Sequence, residues 1–250
     1  MRTGFINNEG KNNSISGILL IDKPAGMTSF RVDSLVKREL NCLKVGHAGT
    51  LDPFATGLLP LLINKATKIQ DRLVNVSKSY EGAFKIGIST NTLDISGEVL
   101  DNKAVKDIEI KGIIDYLGKL SGDFIQKIPA FSAKKVKGVP LYRYARKNID
   151  SGKADMTNKV SIYEFKIKSF DDSFINFSCR VSKGTYVRAI AQDIIDKFKV
   201  PAHLFSLRRT SAGGFDINEA IQFESIEKGK DFIMEKIIPV DDPRVMEILN

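Results

Sequence analysis

The sequence lacks any run of about 18 apolar residues, the length that a membrane-spanning helix requires. Residues 1–16 are polar, rich in asparagine and glycine, and contain no apolar stretch of the kind that a secretory signal needs. We therefore expect a flexible tail over residues 1–16 and no association with membranes. The length of 250 residues is sufficient for one or two domains.

Cysteine and histidine are also scarce. Cys42 and Cys179 lie far apart without CxxC spacing, and His47 and His203 belong to no cluster with metal-ligand spacing. The sequence has neither a GxGxxG motif after a strand nor a GxxxxGK[ST] motif. We therefore expect no disulfide framework, no metal, no nucleotide or redox cofactor, and a reducing cytoplasm.

Positive charge is in excess and unevenly distributed. The net charge is +8 and the isoelectric point is about 9.3. Residues 127–159 alone contain nine basic and two acidic residues, a net charge of +7. This segment is either a solvated basic loop or a surface that neutralises the phosphates of a polyanion.

The apolar pattern alternates between helical and strand periodicity. Helices are predicted at residues 29–40, 110–120, 141–147 and 187–198, and strands at 18–21, 78–88, 123–128, 159–169 and 175–181. Residues 45–60 contain four glycines and two prolines and are predicted to form a loop-rich stretch. The pattern favours one α+β domain with a largely antiparallel sheet flanked by helices and loops.

The loop-rich stretch contains Asp52, followed by Pro53. An Asp-Pro pair commonly starts a turn, and this explanation stays open for Asp52. The alternative is chemical, because Gly46, Gly49 and Gly57 allow close approach to a ligand, and a carboxylate can act as a covalent nucleophile without a cofactor.

Five blocks of sequence carry a resemblance to a known family. Residues 46–53 (GHAGTLDP), continued by 55–59 (ATGLL), resemble the signature of the TruB family of tRNA pseudouridine-55 synthases. The other four blocks occur in the order of that family: GILLIDKPAGMTS (17–29), KSYEGAFKIGISTNTLDISG (78–97), SKGTYVR (182–188) and LRRTSAGGF (207–215).

The resemblance implies a fold, an activity and roles for individual residues. It implies a pseudouridine synthase fold over residues 17–250 that converts uridine 55 in the T-loop of tRNA to pseudouridine. Asp52 would attack a flipped-out uridine, Tyr80 would stack on its base, and Arg188 would pair with the Asp52 carboxylate. The other residues that it assigns to the substrate site are His47, Tyr186, Leu207 and Lys23. A monomer that acts on the T-arm without a cofactor or an obligatory protein partner is expected.

The basic segment matches an insertion that closes on RNA in this family, at about residues 128–158. Its expected phosphate contacts are Lys134, Lys135, Lys137, Arg143 and Arg146. The match departs at Ala130 and Lys137, where proline and asparagine are more usual. The 35 residues after Phe215 are too few for a complete C-terminal PUA domain, so none is expected.

Alternatives remain at this stage. Taken singly, Tyr80 and Leu207 could be core residues, Tyr186 and Arg188 a packing residue and a surface charge, and His47 a hydrogen-bonding loop residue. The chain could be a non-catalytic RNA-binding protein on the same scaffold, or a synthase that acts on another RNA or within a guide-RNA particle. The sequence does not indicate whether Asp52 attacks the sugar or the base.

Overall fold

A computed structural model describes residues 15–147, 149 and 156–249. The strands are β1 (Gly17–Lys23), β2 (Val45–His47), β3 (Thr56–Ile63), β4 (Lys78–Ile86), β5 (Ile88–Thr90), β6 (Val99–Asn102), β7 (Gly122–Lys127), β8 (Lys135–Val136), β9 (Val139–Pro140), β10 (Thr157–Asp171), β11 (Phe174–Val181), β12 (Ala202–Ala212), β13 (Phe215–Asp216) and β14 (Ile221–Gln222). The α-helices are α1 (Ser29–Glu39), α2 (Gln70–Val74), α3 (Ile110–Gly118), α4 (Leu141–Ala145), α5 (Ala189–Phe198), α6 (Lys230–Glu235) and α7 (Pro243–Leu249). Short 3-10 helices occupy Asn64–Ile69, Val105–Asp107, Ile217–Glu219 and Phe223–Lys228.

The chain divides into two compact units, which meet in sequence after Val76 and again within β12. Unit 1 consists of residues 1–76 and 209–250, and unit 2 of residues 77–208. Of the expected N-terminal tail, residues 1–14 lie outside the described part of the chain. Ile15 and Ser16 are described, and they are hydrogen-bonded to Asn64 and Lys65.

Unit 1 is organised around β1 and β3, which are antiparallel and almost wholly buried. Both faces of these strands are covered, so their sequences are continuous apolar runs instead of alternating patterns. β2 pairs antiparallel with β3, and β14 pairs parallel with β1. The hydroxyl of Thr28 caps α1 by accepting a hydrogen bond from the backbone N–H of Arg31.

Unit 2 contains a sheet in which β11 pairs antiparallel with β4 and β10, and β10 pairs antiparallel with β7. One face of this sheet is an aromatic core. The ring of Phe177 stacks on Phe84 and on Phe165, with centroids 4.8 and 5.0 Å apart. Burial on one face explains the alternation that predicted β4 and β11 from the sequence.

The fold confirms the predicted α+β class with a largely antiparallel sheet, and the predicted elements agree with the structure to within a few residues. The prediction that residues 45–60 are loop-rich throughout was wrong at both ends. Residues 45–47 form β2, and 56–60 begin β3, because burial on both faces favours a strand there despite Gly57 and Pro60. In the described part of the chain, no helix is both long and apolar enough to cross a bilayer.

Candidate functional site

Asp52 lies in unit 1, in the loop that connects β2 to β3. Its backbone carbonyl accepts a hydrogen bond from the N–H of Ala55 at 3.1 Å, which closes a turn around Pro53 and Phe54. The Asp52 side chain is partly exposed, as a nucleophile that must reach a substrate requires. The Asp-Pro turn anticipated from the sequence is therefore present, and it leaves the carboxylate accessible.

Arg209 holds this loop against β3. Its guanidinium is completely buried, and its Nε donates to the carbonyl oxygen of Leu58 at 2.6 Å. Its Nη2 donates to the carbonyl oxygen of Gly49 at 3.0 Å. At Gly57 the backbone has a φ of +99°, and an added Cβ would lie 2.3 Å from the Arg209 carbonyl oxygen. Glycine is therefore required where β3 approaches β12, and Arg209 joins the Asp52 loop to that contact.

Lys23, the last residue of β1, holds the other side of the Asp52 loop. Its buried Nζ donates to the carbonyl oxygens of Pro24 and Met27, both at 2.8 Å. A longer hydrogen bond of 3.4 Å reaches the carbonyl oxygen of Pro53, whose oxygen also accepts from the N–H of Gly26 at 2.7 Å. The loop after β1 and the loop after β2 are thus held together next to Asp52.

Charges near Asp52 are mutually dependent. Burial lowers the pKa of Lys23 from its ordinary 10.5 to about 8, the Asp52 carboxylate opposes this effect, and the Arg209 guanidinium adds to it. Two buried cationic side chains therefore act on the region around the carboxylate. Positive potential of this kind favours the ionised form of a carboxylate, which is the nucleophilic form.

His47 lies at the end of β2 and is fixed through both ring nitrogens. Nδ1 lies 2.7 Å from Asp33 Oδ2, and Nε2 lies 3.1 Å from Thr50 Oγ1. The backbone carbonyl oxygen of His47 also accepts a hydrogen bond from Gln70 Nε2 at 3.0 Å. His47 is thus a hydrogen-bonded residue, as its simplest explanation predicted, but it is also held rigidly at the start of the Asp52 loop.

Tyr80 and Leu207 lie in unit 2, each only 8 % exposed. Tyr80 is on β4 opposite Cys179 of β11, and Leu207 is on β12. Burial raises the pKa of the Cys179 thiol to about 12. The environment of Tyr80 is therefore apolar on this side, which suits a ring that packs against a flat base.

Tyr186 is held by its backbone, which leaves its phenol ring for other contacts. The Gln126 side chain accepts a hydrogen bond from the Tyr186 N–H at 2.8 Å and donates to the Tyr186 carbonyl oxygen at 3.0 Å. Gln126 is buried on β7. A single amide side chain thus positions the segment that leads into α5.

Arg188 is 3 % exposed and is surrounded by acceptors. Nη1 donates to the carbonyl oxygen of Thr92 at 2.9 Å and Nη2 to that of Phe131 at 3.0 Å. Within unit 2 its carboxylate partner is Asp94, whose Oδ2 lies 3.5 Å from Nη1. Asp94 is fixed in turn by the N–H of Ser96 at 2.9 Å. The expected pairing of Arg188 with Asp52 stays a prediction.

The basic segment contains a two-stranded hairpin, β8 and β9, followed by α4. The turn is formed by Lys137 and Gly138, with φ values of +49° and +80°. Backbone hydrogen bonds from Leu141 to Lys134 and from Tyr142 to Ser132 join α4 to the hairpin. The basic side chains of this part are exposed: Lys134, Lys135, Lys137, Arg143 and Arg146. Residues 148 and 150–155 of the expected insertion lie outside the described residues.

Sequence reasoning missed four residues of the candidate site: Asp33, Asp94, Gln126 and Arg209. Asp94 and Arg209 lie within the recognised blocks, but their neighbours gave no indication of their partners. Asp33 gave a signal, because it is a charged residue beside Val32 on the apolar side of α1 and is buried there. Within residues 15–147, 149 and 156–249, no three His, Cys, Asp or Glu side chains lie together in a way that could hold a metal ion.

Comparison with known sequences identifies similar proteins over most of the chain. Residues 37–187 match the family model described as TruB family pseudouridylate synthase, N-terminal domain. The chain is 39 % identical over 236 residues to tRNA pseudouridine synthase B of Staphylococcus saprophyticus, covering 90 % of this chain and 76 % of that protein. It is 37 % identical over 228 residues to the protein of the same name from Endomicrobium trichonymphae, covering 91 % of this chain and 98 % of that protein.

Solved structures share the fold. A chain in the crystal structure of a Cbf5-Nop10-Gar1 complex superposes with a TM-score of 0.69 at 24 % identity, over 93 % of this chain. The match covers 62 % of that solved chain, so this chain spans less than two thirds of its length.

Proposed function

The chain belongs to the TruB family of pseudouridylate synthases, and from this membership we propose that it isomerises uridine 55 in the T-loop of tRNA to pseudouridine. The single observation that best supports the chemistry is the placement of Asp52. Its carboxylate is accessible, and its loop is held by two buried cationic side chains.

In the proposed reaction, the Asp52 carboxylate attacks the target nucleotide and the bond between the ribose and N1 of uracil breaks. The detached base rotates, its C5 forms the new bond to the ribose, and C5 loses a proton while N1 gains one. Asp52 is then released unchanged. The reaction is a rearrangement within one nucleotide, so the atoms balance without a redox partner, a metal or a second substrate.

A uridine inside a folded T-loop must leave the stack before a carboxylate can reach it. Extrusion costs a few kcal/mol, and stacking on an aromatic ring offsets part of this cost. We assign the stacking ring to Tyr80, with Tyr186 and Leu207 as further walls of the base pocket. The burial of Tyr80 and Leu207 supports this assignment because an apolar wall excludes water from the detached base.

We assign Arg188 to orienting the nucleophile in the substrate complex. Its guanidinium is fixed by two backbone carbonyls and Asp94, so little ordering is required when substrate binds. A buried, preorganised guanidinium both orients a carboxylate and keeps it ionised.

The hairpin of β8 and β9 with α4 is the proposed clamp on the RNA backbone. It presents exposed lysines and arginines in a short segment, and phosphate contacts of this kind position RNA without reading its sequence. Recognition of the T-arm would then depend mainly on its folded shape.

We propose that the enzyme acts alone, as a monomer, on the cytoplasmic tRNA pool. The relatives named above carry the name tRNA pseudouridine synthase B and support tRNA as substrate. The similarity to a chain of the Cbf5-Nop10-Gar1 complex concerns the fold, so it does not favour action within a guide-RNA particle.

The test is to incubate purified protein with T-arm stem-loop RNA, without added metal or nucleotide, and to map pseudouridine at single-nucleotide resolution. We expect one pseudouridine per RNA, at position 55. A T-arm RNA with cytidine at position 55 is the control and should stay unmodified. No pseudouridine in the uridine RNA, or pseudouridine at other positions only, would contradict the assignment.

A further inference from the structure

Asp33 is a buried acidic residue on α1 that the reaction as described does not use. It is 6 % exposed, and its Oδ2 lies 2.7 Å from His47 Nδ1. Its second oxygen, Oδ1, is buried and has no hydrogen-bond donor among the described residues. A buried carboxylate oxygen without a donor is destabilising, so stability alone does not account for Asp33.

The contacts of His47 indicate what Asp33 does. An ionised carboxylate only accepts hydrogen bonds, so the proton of a neutral His47 ring is on Nδ1 and Nε2 is an acceptor. Nε2 faces the hydroxyl of Thr50 at 3.1 Å. The His47 backbone is independently held by Gln70 and by pairing with Leu61 of β3. Backbone and ring are thus fixed separately, and Asp33 fixes the ring.

We propose that Asp33 is a positioning residue for His47, which fixes the plane of the imidazole and keeps its proton on Nδ1. This inference rests on the proposed function, in which His47 contacts the T-loop. Nε2 then presents a lone pair, so its RNA partner is a hydrogen-bond donor, such as a ribose hydroxyl or a base N–H, that replaces the Thr50 hydroxyl. A ring oriented in advance loses less conformational freedom when RNA binds.

The competing explanation is that Asp33 merely links α1 to β2. Two substitutions separate the explanations. Asp33→Leu removes both oxygens, including the one without a donor, and replaces them with apolar atoms of similar size. Asp33→Asn keeps an oxygen that can accept from Nδ1–H but removes the charge. Glu39→Gln, on the last turn of the same helix, is the control for loss of a negative charge from α1.

For Asp33→Leu we expect an equal or higher melting temperature, an unchanged kcat, and a KM for T-arm RNA about fivefold to tenfold higher, as for one lost hydrogen bond. Asp33→Asn should restore most of the KM. Long-range proton–nitrogen NMR of the imidazole should show the Nδ1–H form in the wild type and in Asp33→Asn, and a mixture of forms in Asp33→Leu. Glu39→Gln should match the wild type in all three measurements.

A lower melting temperature for Asp33→Leu without rescue of KM by Asp33→Asn would show a structural link and overturn the proposal. Wild-type KM and an unchanged ring form in Asp33→Leu would overturn it as well. If the wild-type protein forms no pseudouridine, the proposed function fails, but the ring nitrogens still report whether Asp33 controls His47. The two failures are therefore distinguishable.

Discussion

Arg209 holds the Asp52 loop, and its replacement by methionine is the most informative single change in unit 1. The side chain is fully buried and donates to two backbone carbonyls, those of Leu58 and Gly49. Methionine fills similar space but donates no hydrogen bond, so both carbonyls lose a charged donor.

The expected cost follows from these two contacts. A hydrogen bond from a charged donor contributes about 1.5–3 kcal/mol, and removal of the cation also relieves its repulsion from Lys23. We therefore expect Arg209→Met to lower the free energy of unfolding by about 3 kcal/mol. For a chain of this size that corresponds to a melting temperature about 6–12 °C lower.

Activity should fall for a separate reason. Without the bond to Gly49 the Asp52 loop is less well oriented, so we expect kcat to fall by about tenfold to a hundredfold, with little change in affinity for T-arm RNA. Single-turnover assays below the melting transition measure this effect. Arg209→Lys should lie between the wild type and Arg209→Met, because an ammonium reaches fewer acceptors than a guanidinium.

The matched control is Arg180→Met, which removes an exposed arginine from β11, where its guanidinium lies 5.0 Å from the ring centre of Tyr163. We expect its melting temperature to change by no more than about 2 °C. If Arg209→Met were as stable and as active as this control, the assigned role of Arg209 in holding the loop would be wrong.

Three further predictions concern pH, backbone space and RNA. The unfolded chain binds more protons than the folded chain between the pKa of about 8 for folded Lys23 and its ordinary 10.5, so the free energy of unfolding should rise with pH across this window. Chemical denaturation should show that rise for the wild type relative to Lys23→Met, and parallel pH curves would contradict it. Gly57→Ala places a Cβ 2.3 Å from a backbone oxygen at a φ of +99°, so we expect a loss of about 3 kcal/mol or more in thermal or urea unfolding. A melting temperature within about 2 °C of the wild type would show that the backbone can relax. Replacing Lys134, Lys135 and Lys137 by glutamine should weaken RNA binding and reduce the slope of log affinity against log salt by roughly one per lost phosphate contact. An unchanged slope would remove the hairpin from the RNA contact.

The sequence predicted the family, the α+β class and most helices and strands, and these are confirmed. Amphipathic elements such as α1 and β4 were predictable because one face is buried and the spacing of apolar residues shows it. β3 was not, because a strand buried on both faces has no alternation, and its glycine and proline resemble loop residues.

Site residues divide in a similar way. Asp52 lies in a motif that can be recognised locally, whereas Arg209 acts on Gly49 and Leu58 across about 150 residues of sequence. The pairing of Asp33 with His47 likewise depends on how α1 packs against β2. A sequence shows which polar residues are present, but their partners follow from tertiary packing.

The most direct test of the account is pseudouridine formation by Asp52→Asn, measured beside Asp71→Asn, which removes an exposed carboxylate from α2. We expect Asp52→Asn to bind T-arm RNA within about threefold of the wild type, since it loses no contact needed for affinity, and to form no pseudouridine. Asp71→Asn should retain full turnover. Wild-type turnover by Asp52→Asn would contradict the central claim that this carboxylate is the nucleophile.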